Sequence, residues 1–241
     1  MSRSLPPYRV RAVNTAPESE NKIHDDSVAA GYGFRGGLVP GVTVYGYMTV
    51  PIVASAPEWL ERGTMKVRFL EPVYDGDELM VKATVDGASI NVTAAREDGT
   101  VCAIGTGDIP ATVAPPVDRY PQHPLPAGRP APSVDNLVPG AALGTVLETI
   151  EVAEPRAVLQ FSNEILVRNF KLGPWIHTGS EIQNYSAVRS GDLISARGRI
   201  HDRYERKGHK FVVVDVMLIA NGDRLAQAVR HTAIYQPRPK S

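Results

Sequence analysis

Cysteine is nearly absent from the 241 residues: Cys102 is the only one. An intramolecular disulfide and any cysteine-rich metal site are thereby excluded, and the lone thiol, in an alternating apolar stretch, reads as a small buried residue rather than a nucleophile. Net charge is missing as well. Lys+Arg and Asp+Glu balance at 26 each, without a basic block, so nothing pulls the chain toward nucleic acid or an anionic membrane. No apolar run reaches the length that crosses a bilayer, and residues 1–7 lack the apolar core of a signal peptide; a soluble, cytoplasmic protein is expected. The glycine patterns of a P-loop, a dinucleotide-binding turn and a Gly-x-Ser-x-Gly elbow do not occur, and His201, His209 and His231 have no metal-ligand spacing. Nucleotide hydrolysis, hydride transfer and zinc chemistry are disfavoured, and no metal is expected.

What is present is a pattern written twice. Nine of the 20 prolines fall between Pro110 and Pro139, a composition suited to an extended connector. On either side, Tyr74-Asp75-Gly76-Asp77 is matched by Arg189-Ser190-Gly191-Asp192, a shift of 115 residues, each turn launching an apolar strand. Asp98-Gly99 and Asn221-Gly222, hairpin signals because both central positions favour positive φ, are matched at a shift of 123. The second copy is therefore longer by about eight residues, around 204–209. In the first copy the pattern predicts a strand at 8–13, a helix at 41–53, and strands at 65–69, 79–85, 89–96 and 100–109. In the second it predicts a strand at 145–152, a helix at 157–170, and strands at 180–185, 193–202, 211–220 and 224–235.

The helix from Val42 is apolar nearly all round, with Gly46 and Pro51 inside it, as suits a helix wrapped by a sheet. The expected class is α+β, a double hotdog: two antiparallel sheets, each around a central helix, packed as a pseudo-dimer. Residues 1–112 form the first unit, 113–142 the linker and 143–241 the second. Only the first has a long excursion between strand and helix, residues 14–40, and only there do chemically loaded residues crowd together. The second unit is expected to serve as a partner, or as a wall closing the pocket.

The excursion contains Asn21-Lys22-Ile23-His24-Asp25-Asp26 and then Gly31-Tyr32-Gly33-Phe34-Arg35-Gly36-Gly37-Leu38-Val39-Pro40-Gly41. His24 can move protons near neutral pH, and a glycine at a helix start offers free backbone N–H groups to an oxyanion. Bland alternatives stand beside these. His24 could merely brace the excursion. Asp25 or Asp26 is read as the N-cap of a short helix at 28–31, and Gly36 and Gly37 as turn residues. Tyr45 and Tyr47 fit a core as well as a pocket. His177, after Trp175 and Ile176, either reaches the pocket or is a satisfied structural histidine. The run 203–210, rich in Arg and Lys, is a solvated hairpin tip or a seat for phosphates.

At these residues the sequence resembles the MaoC-like hydratase/dehydratase branch of the hotdog superfamily, which includes the (R)-specific enoyl-CoA hydratases. The resemblance implies addition of water across the 2,3 double bond of an enoyl thioester, or its removal, without metal or redox cofactor. The substrate would be a coenzyme A or carrier-protein thioester. It matches His24 to the catalytic histidine, Asn21 to the amide three residues before it, and Gly41 to the glycine whose N–H holds the thioester oxygen. The family's aspartate five residues before the histidine is Ser19 here, Lys22 replaces a proline, and Pro40 replaces a histidine. Glu20, or Glu18, is the candidate replacement carboxylate. The site expected is thus His24, Asn21 and Glu20 for catalysis, with Gly41, Pro40, Tyr45 and His177 on the substrate. Thioester hydrolysis, with Glu20 or Asp26 activating water, and a non-catalytic acyl-binding or partner subunit are the rival readings. A homodimer of double hotdogs is the assembly considered.

Overall fold

The structure, a computed structural model, describes residues 2–111 and 113–239. The first unit runs β1 (Arg3–Ser4), β2 (Tyr8–Arg11), one 3₁₀ turn (Lys22–His24), α1 (Asp26–Ala30), α2 (Gly41–Ser55), α3 (Trp59–Arg62), β3 (Thr64–Phe69), β4 (Glu78–Asp86), β5 (Ser89–Arg96) and β6 (Val101–Gly107). The second runs β7 (Val146–Thr149), α4 (Pro155–Asn169), β8 (Ile176–Asn184), β9 (Leu193–Arg206), β10 (His209–Ala220) and β11 (Arg224–Gln236). The double hotdog is what the residues form. Its two antiparallel sheets are joined edge to edge, because β3 pairs with β8 from Thr64 opposite Gln183 to Arg68 opposite Gly179. One eleven-stranded sheet therefore spans both halves.

The repeated turns explain the repeated architecture. Gly76 and Gly191 both take positive φ, 79° and 91°. In each turn the aspartate that follows accepts a backbone N–H from three residues earlier, Tyr74 to Asp77 and Arg189 to Asp192. Each aspartate also faces an arginine from a later strand of its own half, Arg96 and Arg224. The eight extra residues of the second copy lengthen the β9–β10 hairpin, whose turn is Lys207-Gly208.

Helix α2 buries Val44, Tyr45, Met48 and Ile52, among others, and meets α4 where a Cβ on Gly46 would come within 2.9 Å of the Arg156 Cβ. Gly46 is thus required by the helix crossing. Helix α4 starts with Pro155, whose missing N–H is no loss there. It ends on Asn169, buried, which accepts from Gly144 N at 2.7 Å and donates to the Gly144 and Ile165 carbonyls at 2.9 Å. Asn169→Ala leaves those groups unpaired, and a loss of about 2 kcal/mol is expected in urea unfolding. The proline-rich connector packs rather than hangs free: Leu137 is buried and Arg197 donates to the Tyr120 carbonyl at 3.1 Å. Cys102 is buried, and burial raises its thiol pKa. Among the described residues no helix is long and apolar enough to cross a membrane.

Candidate active site

The excursion is held in shape by its own polar side chains. Asn21 caps the 3₁₀ turn, accepting from Ile23 N. Asp25 caps α1 through Val28 N at 3.0 Å. Asp26 Oδ1 accepts the Gly37 N–H at 2.7 Å. Gly37 lies so close to the His24 carbonyl that a Cβ there would overlap it, so the requirement is close approach rather than positive φ. Ile23, Ala29 and Leu38 form a small buried cluster beneath the loop.

This frame sets the histidine's protonation. His24 Nδ1 donates to the Leu38 carbonyl at 2.6 Å, which places the ring proton there and leaves the lone pair on Nε2. Burial lowers the pKa of His24 and the Leu38 carbonyl opposes that only in part, so the ring is neutral at pH 7. Asn21 Nδ2 lies 3.2 Å from Nε2. Its other proton goes to the Trp175 carbonyl at 3.0 Å, and Trp175 N returns a bond to Asn21 Oδ1 at 3.0 Å. All the hydrogen-bonding capacity of Asn21 is therefore taken up in orienting His24 and tying the excursion to the second half.

His24, Pro40, Gly41 and His177 line one cavity of about 310 Å³, otherwise walled largely by apolar groups such as Phe34, Val44 and Phe69. Helix α2 opens onto it uncapped, for Pro40 has no side-chain acceptor to offer. Thr43 N and Val44 N turn back to the Pro40 carbonyl, while Gly41 and Val42 N–H meet no acceptor among the described residues. A Cβ on Gly41 would stand 2.9 Å from His177 Nδ1 and 3.0 Å from Phe69. Glycine is needed at this point because His177 of the second half and Phe69 of β3 both press against it.

Two expected members of the site are elsewhere. Glu20 is exposed and held by Arg129 of the connector, at 2.8 and 3.0 Å to its two carboxylate oxygens. The guanidinium bond lowers its pKa and draws the carboxylate outward, so Glu20 makes no contact with His24. Glu18 is exposed. Tyr45 lies one turn into α2, where sheet and helices already enclose it; it is fully buried beside a separate void of about 30 Å³ with Trp59 and Gln227. The carboxylate that does line the cavity is Glu71, just past β3, which nothing in the local sequence marked out. Asn163 of α4 also lines it. Its place among the polar residues of α4, between Ser162 and Glu164, gave no signal.

Burial of the histidines couples to stability. His177 is depressed to about 3 and His231 lies well below its ordinary value, both through burial. Below pH 6.5 the unfolded chain binds protons that these folded rings refuse, so stability is full above 6.5 and falls as pH drops toward the folded values. The urea midpoint is expected to decline from pH 7 to about pH 5, and His177→Gln to flatten that decline.

No known family model matches the sequence, and no curated protein is similar to it. Solved structures match over nearly the whole chain. RV0216 of Mycobacterium tuberculosis, with a double hotdog fold, gives a TM-score of 0.65 at 14% identity over 95% of this chain and 96% of its own. A protein of Chloroflexus aurantiacus described as a MaoC domain dehydratase gives 0.58 at 14% identity over 99% and 95%. The acyl-CoA thioesterase II TesB2 of Mycobacterium marinum gives 0.57 at 15% identity over 83% and 90%. These likenesses establish the double hotdog fold.

Proposed function

We propose that the protein is an acyl-thioester enzyme of the hydratase/dehydratase kind. The observation that supports this best is the convergence, on one largely apolar cavity, of a neutral histidine with its lone pair on Nε2 and the uncapped N-terminus of α2. The apolar wall takes the acyl chain and the helix N–H groups take the thioester oxygen, where charge develops as the enolate forms. In the hydration direction the long Asn21 bond to His24 Nε2 opens, and the freed Nε2 lone pair removes a proton from water as its oxygen bonds to C3. The C2–C3 π electrons move onto the thioester oxygen, and the imidazolium then returns the proton to C2. Dehydration reverses these steps. One histidine serves as both base and acid because no carboxylate is bonded to it among the described residues. The reaction consumes no metal or redox cofactor; coenzyme A or a carrier protein bears the acyl group.

Hydrolysis is the second reading, favoured by the presence of Glu71 on the cavity wall. Its carboxylate would activate water against the thioester carbon. Following enoyl absorbance and free thiol together with crotonyl-CoA separates the two. Loss of the enoyl signal without thiol is expected; thiol release abolished by Glu71→Gln supports hydrolysis instead, and no change in either signal rejects both.

A further inference from the structure

The second half contributes more than a wall. His177 and Ser180 are three residues apart on β8, a spacing that points side chains to opposite faces of a regular strand. Here the register slips: Ser180 lies opposite His231 and Gly179 opposite Thr232, yet His177 lies opposite Ala233. Thr178 is the extra residue, and this bulge brings His177 to the side of Ser180. Ser180 Oγ then sits 2.9 Å from His177 Nε2 and 3.0 Å from His231 Nδ1, with the two rings 4.2 Å apart between centroids.

If both rings donated to Oγ, the buried Ser180 proton would have no acceptor among the described residues, so one imidazole donates to Oγ and the other accepts from it. Both rings are neutral through burial. The outer nitrogens, His177 Nδ1 and His231 Nε2, are buried and unpaired among the described residues. If the bonds run from His231 through Ser180 to His177, the free N–H is His177 Nδ1 and the bare acceptor is His231 Nε2. The reverse order strands an N–H on His231, whose ring is wholly enclosed. Either order leaves one N–H without an acceptor among the described residues, a rare state for a buried donor; the first puts it on the ring that lines the cavity, where a ligand oxygen can accept it, and the reverse on a ring that does not line it. The donor so created lies against Gly41 at the cavity.

We propose that His177 Nδ1–H is a second donor to the thioester oxygen, acting beside the Gly41 N–H, and that Ser180 and His231 are positioning residues that fix its tautomer. This rests on the acyl-thioester reading above. The oxygen is then gripped from both halves of the chain, one donor on each.

The test uses the full chain labelled with ¹⁵N-histidine, and as probe the ketone analogue of butanoyl-pantetheine, with methylene in place of the thioester sulfur. His177 is expected as the Nδ1-protonated ring in the free protein, its proton moving downfield when the probe binds. With crotonyl-CoA, Ser180→Ala is expected to mix the tautomers and lower kcat roughly tenfold with KM little changed, Ser180→Thr to restore both, and His177→Phe to cost about 10²-fold in kcat. An Nε2-protonated His177 in the free protein overturns the assignment. So does a probe that shifts His24 but leaves His177 unmoved, with the acyl-thioester reading intact. A probe that disturbs neither histidine overturns that reading and this one together.

Discussion

Replacing His24 by alanine is expected to lower kcat/KM for hydration of crotonyl-CoA by about 10²- to 10⁴-fold, the usual range for an acid–base group. The fall is expected in kcat, because the apolar wall and the helix N–H groups proposed to bind the acyl thioester remain. His24→Gln does not rescue: an amide can replace the bond to the Leu38 carbonyl but cannot hold and return a proton. The pH profile supplies the independent check. In the proposed mechanism the base is neutral His24, whose pKa burial lowers, so the rate is expected to climb with pH along a limb centred below 6.5 and to be level at pH 7. Steady-state kinetics across pH settle the matter. An unaltered rate in His24→Ala, or a limb centred above 6.5 in the native enzyme, removes His24 from the chemistry.

Gly37→Ala is expected to cost nearly as much while removing no chemical group. Its Cβ would overlap the His24 carbonyl and lie 3.2 Å from Asp25 N, both backbone atoms that cannot swing aside. The loop must shift, and with it the Nδ1–Leu38 bond and the Asp26–Gly37 bond that together set the imidazole. A displacement on the order of 1 Å at the reacting group costs about 10²-fold in rate, and the overpacking costs about 1–3 kcal/mol of stability. Gly36→Ala is the control. Its Cβ would meet Asp26 Oδ1 at 3.0 Å, so that carboxylate must give by a few tenths of an ångström and its bond to Gly37 N loosens, but no backbone atom stands in the way and a smaller effect is expected. Rates and thermal melts of the two variants decide it. A Gly37→Ala protein that melts and turns over like the native one shows that the loop is not packed as described.

The site is only partly written in local sequence. The excursion itself was legible: histidine, asparagine and a glycine cluster ahead of an apolar helix, in a segment that the second copy lacks. The local jobs of Asp25 and Gly37 follow from neighbours close in sequence. The carboxylate was not legible. Glu20 is four residues from His24, but an arginine 109 residues away takes it. Glu71 reaches the cavity only because β3 and the segment after it form part of the wall. Tyr45 reads like a pocket aromatic until the wrap of the sheet shows that only the first turn of α2 is open. The His177–Ser180 pair depended on one unpaired residue, Thr178, and a slip of that kind leaves no trace in a pattern of alternation.

The sequence by itself determined the elements, their duplication and the half that carries the His24 excursion, because turn chemistry and hydrophobic period act between near neighbours. Tertiary structure alone decided which charges remain free to act and what meets Gly41. Those outcomes turn on contacts between residues 100 or more positions apart, such as Glu20 with Arg129, Asn21 with Trp175 and Gly41 with His177. They arise where β3 and β8 join two sheets into one and seat the second half on the helix N-terminus of the first. Local preference cannot encode such meetings, since each partner looks the same in sequence whether or not the other arrives.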